Sequence, residues 1–196
     1  FNFSAFMGDP TKTKLILERI VNEAKRLKVK EVCVCECGTA YRVMKQMSGK
    51  QSFKVTSITE VHARYLREGR IKVDKSKVSG PVTYHDPCNI ARGGRITEEP
   101  REILKAICRD FVEMTPNRTE NYCCGGGGGR NWLEEDVKPE EGLFRVNEIR
   151  TDMALEIDPD IICTACPFCL TMFEDGLKAK EKQDKVKVSR TFQVVG

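Results

Sequence analysis

Ten cysteines dominate the chemistry open to this chain: Cys33, Cys35, Cys37, Cys88, Cys108, Cys123, Cys124, Cys163, Cys166 and Cys169. Five stand in a suggestive order: Cys88, the adjacent pair Cys123-Cys124, and Cys166 and Cys169 within Cys-Pro-Phe-Cys. Thirty-four residues separate Cys88 from Cys123 and 41 separate Cys124 from Cys166, so these thiols belong to different loops that folding must bring together. Neighbouring cysteines bridge each other only with strain, whereas both sulfurs can reach one polynuclear centre. Iron–sulfur clusters take several soft thiolates and accept them from distant loops. Five thiolates also exceed the four that a tetrahedral zinc requires, which favours a multi-iron centre.

The neighbouring residues sharpen that reading. Gly125 to Gly129 follow Cys124 directly. Such a run admits positive φ, lets backbone approach a bulky group, and supplies amides, those of Gly125 and Gly126 first, for thiolate or sulfide. It is no nucleotide loop, because Arg130-Asn131-Trp132 stands where a Gly-Lys-Ser/Thr would be required. Cys163, Cys166 and Cys169 begin like a bacterial ferredoxin run, but the fourth position is Phe173. Cys166 and Cys169 before a helix also admit dithiol–disulfide exchange, which leaves Cys88, Cys123 and Cys124 without a role.

The other candidates are weaker. Cys37 follows a strand and is placed to complete the site, and Cys163 is a spare ligand. Cys108 falls on an apolar helix face and reads as core. Cys33 and Cys35 alternate with Val32 and Val34, as in a buried strand. His85 is placed either to give a proton to a leaving thiolate or to fix its loop. Arg92, Arg95 and Arg130 sit in expected site loops, where they could meet an anionic substrate tail.

The elements that must position these groups alternate between strand and helix. Asp9-Pro10 starts a helix over residues 10–28, with Ile16, Ile20, Ala24 and Leu27 at helical spacing. A strand is expected over 29–35, a helix through Met47, a strand over 53–58, and a helix across 61–66. The polar segment 72–81 reads as a linker. The second half repeats the theme: a strand at 82–85, a helix opened by Pro100, and a short strand at 111–114. A helix marked by Leu143, Val146, Ile149 and Met153 follows, then a strand at 160–163, a helix from Pro167 through Leu177, and a strand at 186–188. This alternation implies an α/β protein, two Rossmann-like lobes with parallel sheets flanked by helices, residues 1–80 and 81–196. Ligands of such sheets gather at the carboxyl ends of strands, and Cys37, Cys88 and Cys163 to Cys169 all follow one.

Composition excludes several classes. With 40% apolar and 32% charged residues the chain is no disordered segment. Cysteine, at 10 of 196 residues, falls short of a disulfide scaffold and points to a reducing compartment. No apolar run is long enough to cross a membrane, and no secretion signal precedes the first strand. The chain opens Phe1-Asn2-Phe3 rather than with Met, as a fragment or processed piece would. Residues 1–80 carry 17 Lys/Arg against 8 Asp/Glu, and residues 81–196 carry 16 against 21, which suggests two mutually attracting halves. The basic residues are dispersed rather than gathered with aromatics, so nucleic acid is not expected as a partner.

Three segments carry a family resemblance: Tyr84-His85-Asp86-Pro87-Cys88, Tyr122-Cys123-Cys124-Gly125, and Ala165-Cys166-Pro167-Phe168-Cys169. Together they resemble the cysteine-rich "CCG" domain over residues 82–188. That domain occurs in heterodisulfide reductase B and D subunits and in the iron–sulfur subunits of glycolate oxidase and anaerobic glycerol-3-phosphate dehydrogenase. Glu36 to Arg42 and the five glycines are similar to the K subunit of the sulfite-reduction-associated membrane complex. Asn117-Arg118, Arg130 to Glu135 and the Cys-Pro-Phe-Cys tail are similar to subunits tied to electron-transfer flavoprotein and menaquinone.

The resemblance implies a duplicated architecture, of which the first half, lacking a CCG, is a degenerate or truncated repeat. It implies a [4Fe-4S] cluster, non-cubane in heterodisulfide reductase, on Cys88, Cys123, Cys124, Cys166 and Cys169, with Cys88, Cys124 and His85 as catalytic candidates. The expected activity is reductive disulfide cleavage or quinone-linked electron transfer. Expected partners are a ferredoxin-like domain or subunit, a membrane cytochrome or other quinone-reactive subunit, electron-transfer flavoprotein, and a disulfide-bearing substrate. The expected location is cytoplasmic, membrane-associated through a partner. A zinc- or cluster-stabilised interaction domain and a Cys-x-x-Cys dithiol oxidoreductase are the alternatives.

Overall fold

A computed structural model describes residues 3–6, 8–35, 37–133 and 137–191. Glu36, Glu134 and Glu135, which belong to segments that carry the family resemblance, lie outside the described residues. The chain runs α1 (Phe3–Phe6), α2 (Pro10–Arg26), β1 (Glu31–Val34), α3 (Gly38–Met47), β2 (Lys54–Ser57) and α4 (Ile58–Arg67). It continues through β3 (Pro81–His85), α5 (Cys88–Gly94), α6 (Glu98–Ile107), β4 (Asp110–Phe111), α7 (Val146–Leu155), β5 (Ile161–Thr164), α8 (Pro167–Ala179) and β6 (Lys187–Arg190). Two sheets result, both wholly parallel: β1 beside β2, and β4-β3-β5-β6. The expected α/β class with parallel sheets and flanking helices is present. Among the described residues no helix is long and apolar enough to cross a membrane.

Local chemistry explains the first sheet and its helices. Asp9 caps α2 by accepting from the Lys12 amide at 2.9 Å, and Pro10 occupies the first turn. Ser57 and Glu60 form a reciprocal capping box at the start of α4. Leu17, Val21 and Ala24 of α2 pack with Met44 and Phe53, against half-buried Val32 and Val34 of β1. On the opposite face of β1, Glu31 pairs with Arg64 of α4 at 2.8 Å. Cys33 and Cys35 are exposed, not buried as their alternation with valines suggested.

The four-stranded sheet separates two cores. Val82 and Tyr84 of β3 and Cys163 of β5 face Ile103, Leu104, Ile107 and Cys108. Ile162 faces Met114, Ala154, Phe173 and Leu177 on the other side. The segment expected as a linker is partly built into the first of these cores, where Val78 is buried and Val73 packs against it. Arg67 of α4 meets Glu102 of α6 at 2.7 Å, an ion pair between the basic and the acidic half.

Three helical expectations need correction. The segment Cys88–Gly94 is a helix, hidden in the sequence by its brevity and its two glycines. Leu143 lies outside α7 and is 51% exposed. Most of all, α7 turns a polar face inward: Asn147, Arg150 and Thr151 are buried with Ala154, while Val146, Ile149 and Met153 are only half-buried.

The candidate cysteine centre

Parallel pairing aligns the ends of β3 and β5, so the turns that follow them share one edge of their sheet, and the turn after β1 of the other sheet comes to it through Cys37 and Gly38. Cys37 precedes α3, Cys88 is the first residue of α5, and Cys166 is the N-cap of α8 with Cys169 in its first turn. The α3–α5 contact is close. A Cβ on Gly38 would stand 3.1 Å from Asn89 and Ile90, and one on Gly94 would stand 2.7 Å from the Tyr41 ring. Asn89 Nδ2 donates to Thr39 Oγ1 at 2.9 Å across the same contact.

The sulfurs form a connected group. Cys88 meets Cys123, Cys123 meets Cys124, Cys124 meets Cys169, and Cys169 meets Cys166. Cys124, Cys166 and Cys169 are buried; Cys88 and Cys123 are half-buried. All ten cysteines are free thiols. Cys166 and Cys169 are therefore part of a larger assembly of sulfur, not an isolated dithiol.

Two of the five sulfurs, Cys123 and Cys166, attract the negative charge. Hydrogen bonds from the Cys124 and Cys88 thiols draw Cys123 well down, and the amide of Gly125, 3.3 Å from its Sγ, adds to them. Cys166 is drawn down to about 6, first by the Cys169 thiol and then by the amides of Cys169, Phe168 and Gly38. Their neighbours Cys88, Cys124 and Cys169 are raised because each faces a sulfur that holds the negative charge better. Helix N-termini and oriented amides hold thiolates, as a cationic metal centre requires.

A buried carboxylate braces two of the arms. Asp86 accepts both Arg101 Nη1 and Nη2, at 2.8 and 2.7 Å, and the Arg118 amide at 2.7 Å. Its carbonyl accepts from Asn121 Nδ2, and Arg92 Nη1 donates to the Asn121 carbonyl at 2.9 Å. The loop before Cys88 is thus tied to the loop before Cys123. Arg92, expected as a substrate contact, serves this tie. Arg95 is the exposed residue that ends α5 at φ 58°. Arg130 lines a cavity of about 250 Å³ with Arg145, Asn147 and Met172.

The glycine run divides. Gly125 has φ 86°, and a Cβ there would lie 3.1 Å from Val146; one on Gly126 would lie 2.9 Å from Met172. The amides of these two serve Cys123 and Cys124. Gly127, Gly128 and Gly129 face open space, so close approach is confined to the first two.

Cys37 is brought toward the group, close enough for the Cys166 charge to act on it. Cys163 is not: β5 turns it to the other face of the sheet, where it packs with Tyr84 and Cys108, and burial pushes its thiol far up. Its sequence position beside Cys166 concealed the alternation of a strand.

His85 is fully buried, edge-on to Phe173 at 5.0 Å between ring centroids. Its Nδ1 accepts from Arg150 Nε at 3.3 Å. Burial, and then the Arg150 charge, push its pKa down to about 3. The ring is neutral near pH 7 and carries its hydrogen on Nε2, which makes it a poor proton donor to a leaving thiolate. A ring nitrogen of His85 and the sulfurs of Cys124 and Cys169 lie within 4.8 Å of one another. The motif reading missed Asp86 and Arg101 as braces, although Asp86 stands within the Tyr84 to Cys88 segment, and it missed Arg150, which carries no local sign.

Residues 82–174 match the family model described as the CCG cysteine-rich domain. The chain contains a CCG domain. The match takes in all five joined thiols, with β3 at its start and the first half of α8 at its end. Among curated proteins the chain is similar to an EtfAB:quinone oxidoreductase of Syntrophomonas wolfei, 38% identical over 85% of this chain and 24% of that protein. It is 36% identical to a probable iron-sulfur-binding oxidoreductase of Bacillus subtilis, over 92% of this chain and 24% of the relative. It is 33% identical to the D subunit of the dihydromethanophenazine:CoB–CoM heterodisulfide reductase of Methanosarcina barkeri, over 80% of this chain and 38% of the relative. The CCG-domain chain thus spans about a quarter of the first two relatives and under two fifths of the third.

Proposed function

We propose that this chain holds a [4Fe-4S] cluster on Cys88, Cys123, Cys124, Cys166 and Cys169 and passes electrons within a larger iron–sulfur oxidoreductase. The observation that carries the reading is the unbroken sulfur chain from Cys88 to Cys166, with three of its five members buried. Five soft donors from three loops suit several irons better than one zinc. Such a cluster, when bound, supplies one-electron redox chemistry. The protein holds thiolates in place, with the amides of Gly38, Gly125 and Gly126 directed at their sulfurs. The buried Asp86–Arg101 pair keeps the Cys88 and Cys123 arms in register. Residues 1–80 and 81–196 act as two lobes, with the centre where α3 of the first meets α5 and α8 of the second.

Identity, 38% against 33% for the Methanosarcina barkeri relative, supports the branch of the Syntrophomonas relative, whose name joins electron-transfer flavoprotein to quinone. Electrons then come from a flavoprotein or ferredoxin-like partner and leave toward a quinone-reactive one, which would also bring the chain to a membrane. A second reading, reductive disulfide cleavage as in the Methanosarcina relative's name, is favoured by the half-buried state of Cys88 and Cys123, the side on which a substrate sulfur has access. That reaction consumes two electrons and two protons and releases two thiols.

Iron and acid-labile sulfide in anaerobically purified protein test the cluster. About four of each per chain are expected; zinc without sulfide overturns the reading and favours an interaction domain. Mixing reduced protein with a water-soluble quinone or with a small disulfide separates the branches. Reoxidation by quinone supports electron relay, reoxidation by disulfide with release of two thiols supports cleavage, and reoxidation by neither overturns both.

A further inference from the structure

Two buried groups, His85 and Arg150, stand beside the cysteines. Arg150 is 0% exposed. Its nitrogens donate to His85 Nδ1, to Pro116 O at 2.9 Å and to Met153 Sδ at 3.4 Å, none of which is charged. The carboxylate of Asp86 acts on it from a distance but is already held by both terminal nitrogens of Arg101. A buried cation whose contacts are all neutral is costly unless another charge compensates it. Beyond Asp86, the groups whose fields reach Arg150 are the sulfurs of Cys124 and Cys169, which become anionic when they hold a metal.

His85 shows the same orientation toward the cysteines. Nδ1 is occupied as an acceptor, so Nε2 carries the hydrogen. Nε2 is buried without a partner, in a side chain that has a ring nitrogen within 4.8 Å of Cys124 and Cys169. A protonated nitrogen does not ligate iron, but it donates to sulfur. The inward polar face of α7 is the feature that places Arg150 behind the ring.

We propose that His85 and Arg150 set the reduction potential of the cysteine-held cluster, His85 as an Nε2–H donor to the Cys124 or Cys169 sulfur and Arg150 as a fixed countercharge that also holds the His85 tautomer. The proposal rests on the cluster reading above. Both groups stabilise the more negative, reduced state, so both raise the potential.

Redox titration followed by EPR tests this in the iron-loaded protein. His85→Phe and Arg150→Met are each expected to lower the midpoint enough to change the reduced-to-oxidised ratio at fixed potential tenfold or more, about 59 mV for one electron. Arg150→Lys keeps the charge and is expected to recover most of the Arg150→Met shift. Unchanged midpoints with full iron content overturn the proposal. Where a variant binds no iron, the wild-type protein labelled with ¹⁵N-histidine decides. A weak ¹⁵N coupling to the reduced cluster supports the hydrogen bond, whereas no coupling, or one of ligand strength, overturns it. Wild-type protein without iron would defeat the cluster reading instead, so the two failures are distinguishable.

Discussion

The backbone amide of Gly38 is directed at the sulfur of Cys166, although the two residues belong to helices that follow strands of different sheets. The first half of the chain therefore contributes to a centre whose five joined thiols all lie in the second. The contact depends on the absence of a side chain at Gly38, where a Cβ would meet Asn89 and Ile90 at 3.1 Å. Gly38→Val is expected to separate α3 from α5, at a cost of about 1–3 kcal/mol for overpacking. Chemical unfolding gives the stability. Faster iron loss to a chelator from the loaded variant would show that the damage reaches Cys166, and an unchanged loss rate would refute that link.

The Asp86–Arg101 pair is the brace on the other side. Both side chains are 1% exposed, so solvent screening does little to weaken the pair. Asp86→Asn keeps the shape but removes the charge, leaving Glu113, at 2.7 Å, as the carboxylate that pairs with Arg101. Breaking a buried pair of this kind costs about 3–5 kcal/mol. A fall in the urea midpoint of that size, without a change in slope, is the expected result. A shift below about 1 kcal/mol would mean that Glu113 suffices.

His85 gives the metal-free protein a dependence on acid. Its folded pKa, about 3, lies below the ~6.5 of an unfolded histidine. The stability it contributes is present above the unfolded value and is lost as pH falls toward the folded one, because only the unfolded chain takes up the proton. Between pH 7 and pH 5 this amounts to about 2 kcal/mol. His85→Phe is expected to flatten that part of the profile by the same amount. Equal slopes for wild type and variant would show that the ring is not held neutral.

Much of this arrangement was legible because it follows from local rules. The capped start of α2, the strand–helix alternation and the placing of cysteines after strands all depend on neighbours in sequence. What escaped depends on partners far away. Arg150 is buried because His85, 65 residues earlier, and Pro116 receive it, and no helical periodicity encodes that. The apolar spacing of Val146, Ile149 and Met153 pointed to the wrong face of α7 for the same reason. Cys33 looked buried because valines flank it, yet it is exposed. That Cys37 follows a strand was legible, but its approach to Cys166 was not, because β1 and β5 belong to different sheets.

The ten thiols differ in what their loss should do, and the difference separates the centre from the core. Replacing Cys88, Cys123, Cys124, Cys166 or Cys169 with serine removes a member of the sulfur chain and is expected to lower bound iron by half or more, with the protein still folded. Cys163→Ser buries a hydroxyl between Tyr84 and Cys108, where the thiol is 0% exposed, and costs stability of about 1–3 kcal/mol while iron is retained. Cys37→Ser is expected to keep its iron, because the proposed ligand set does not include Cys37. Iron per chain, measured with the melting temperature of each variant, checks all three classes at once. Loss of iron from Cys163→Ser at unchanged melting temperature would place that sulfur on the metal, against its orientation in β5. Retention of iron by Cys88→Ser and Cys123→Ser together would leave only Cys124, Cys166 and Cys169, too few for the four-iron site.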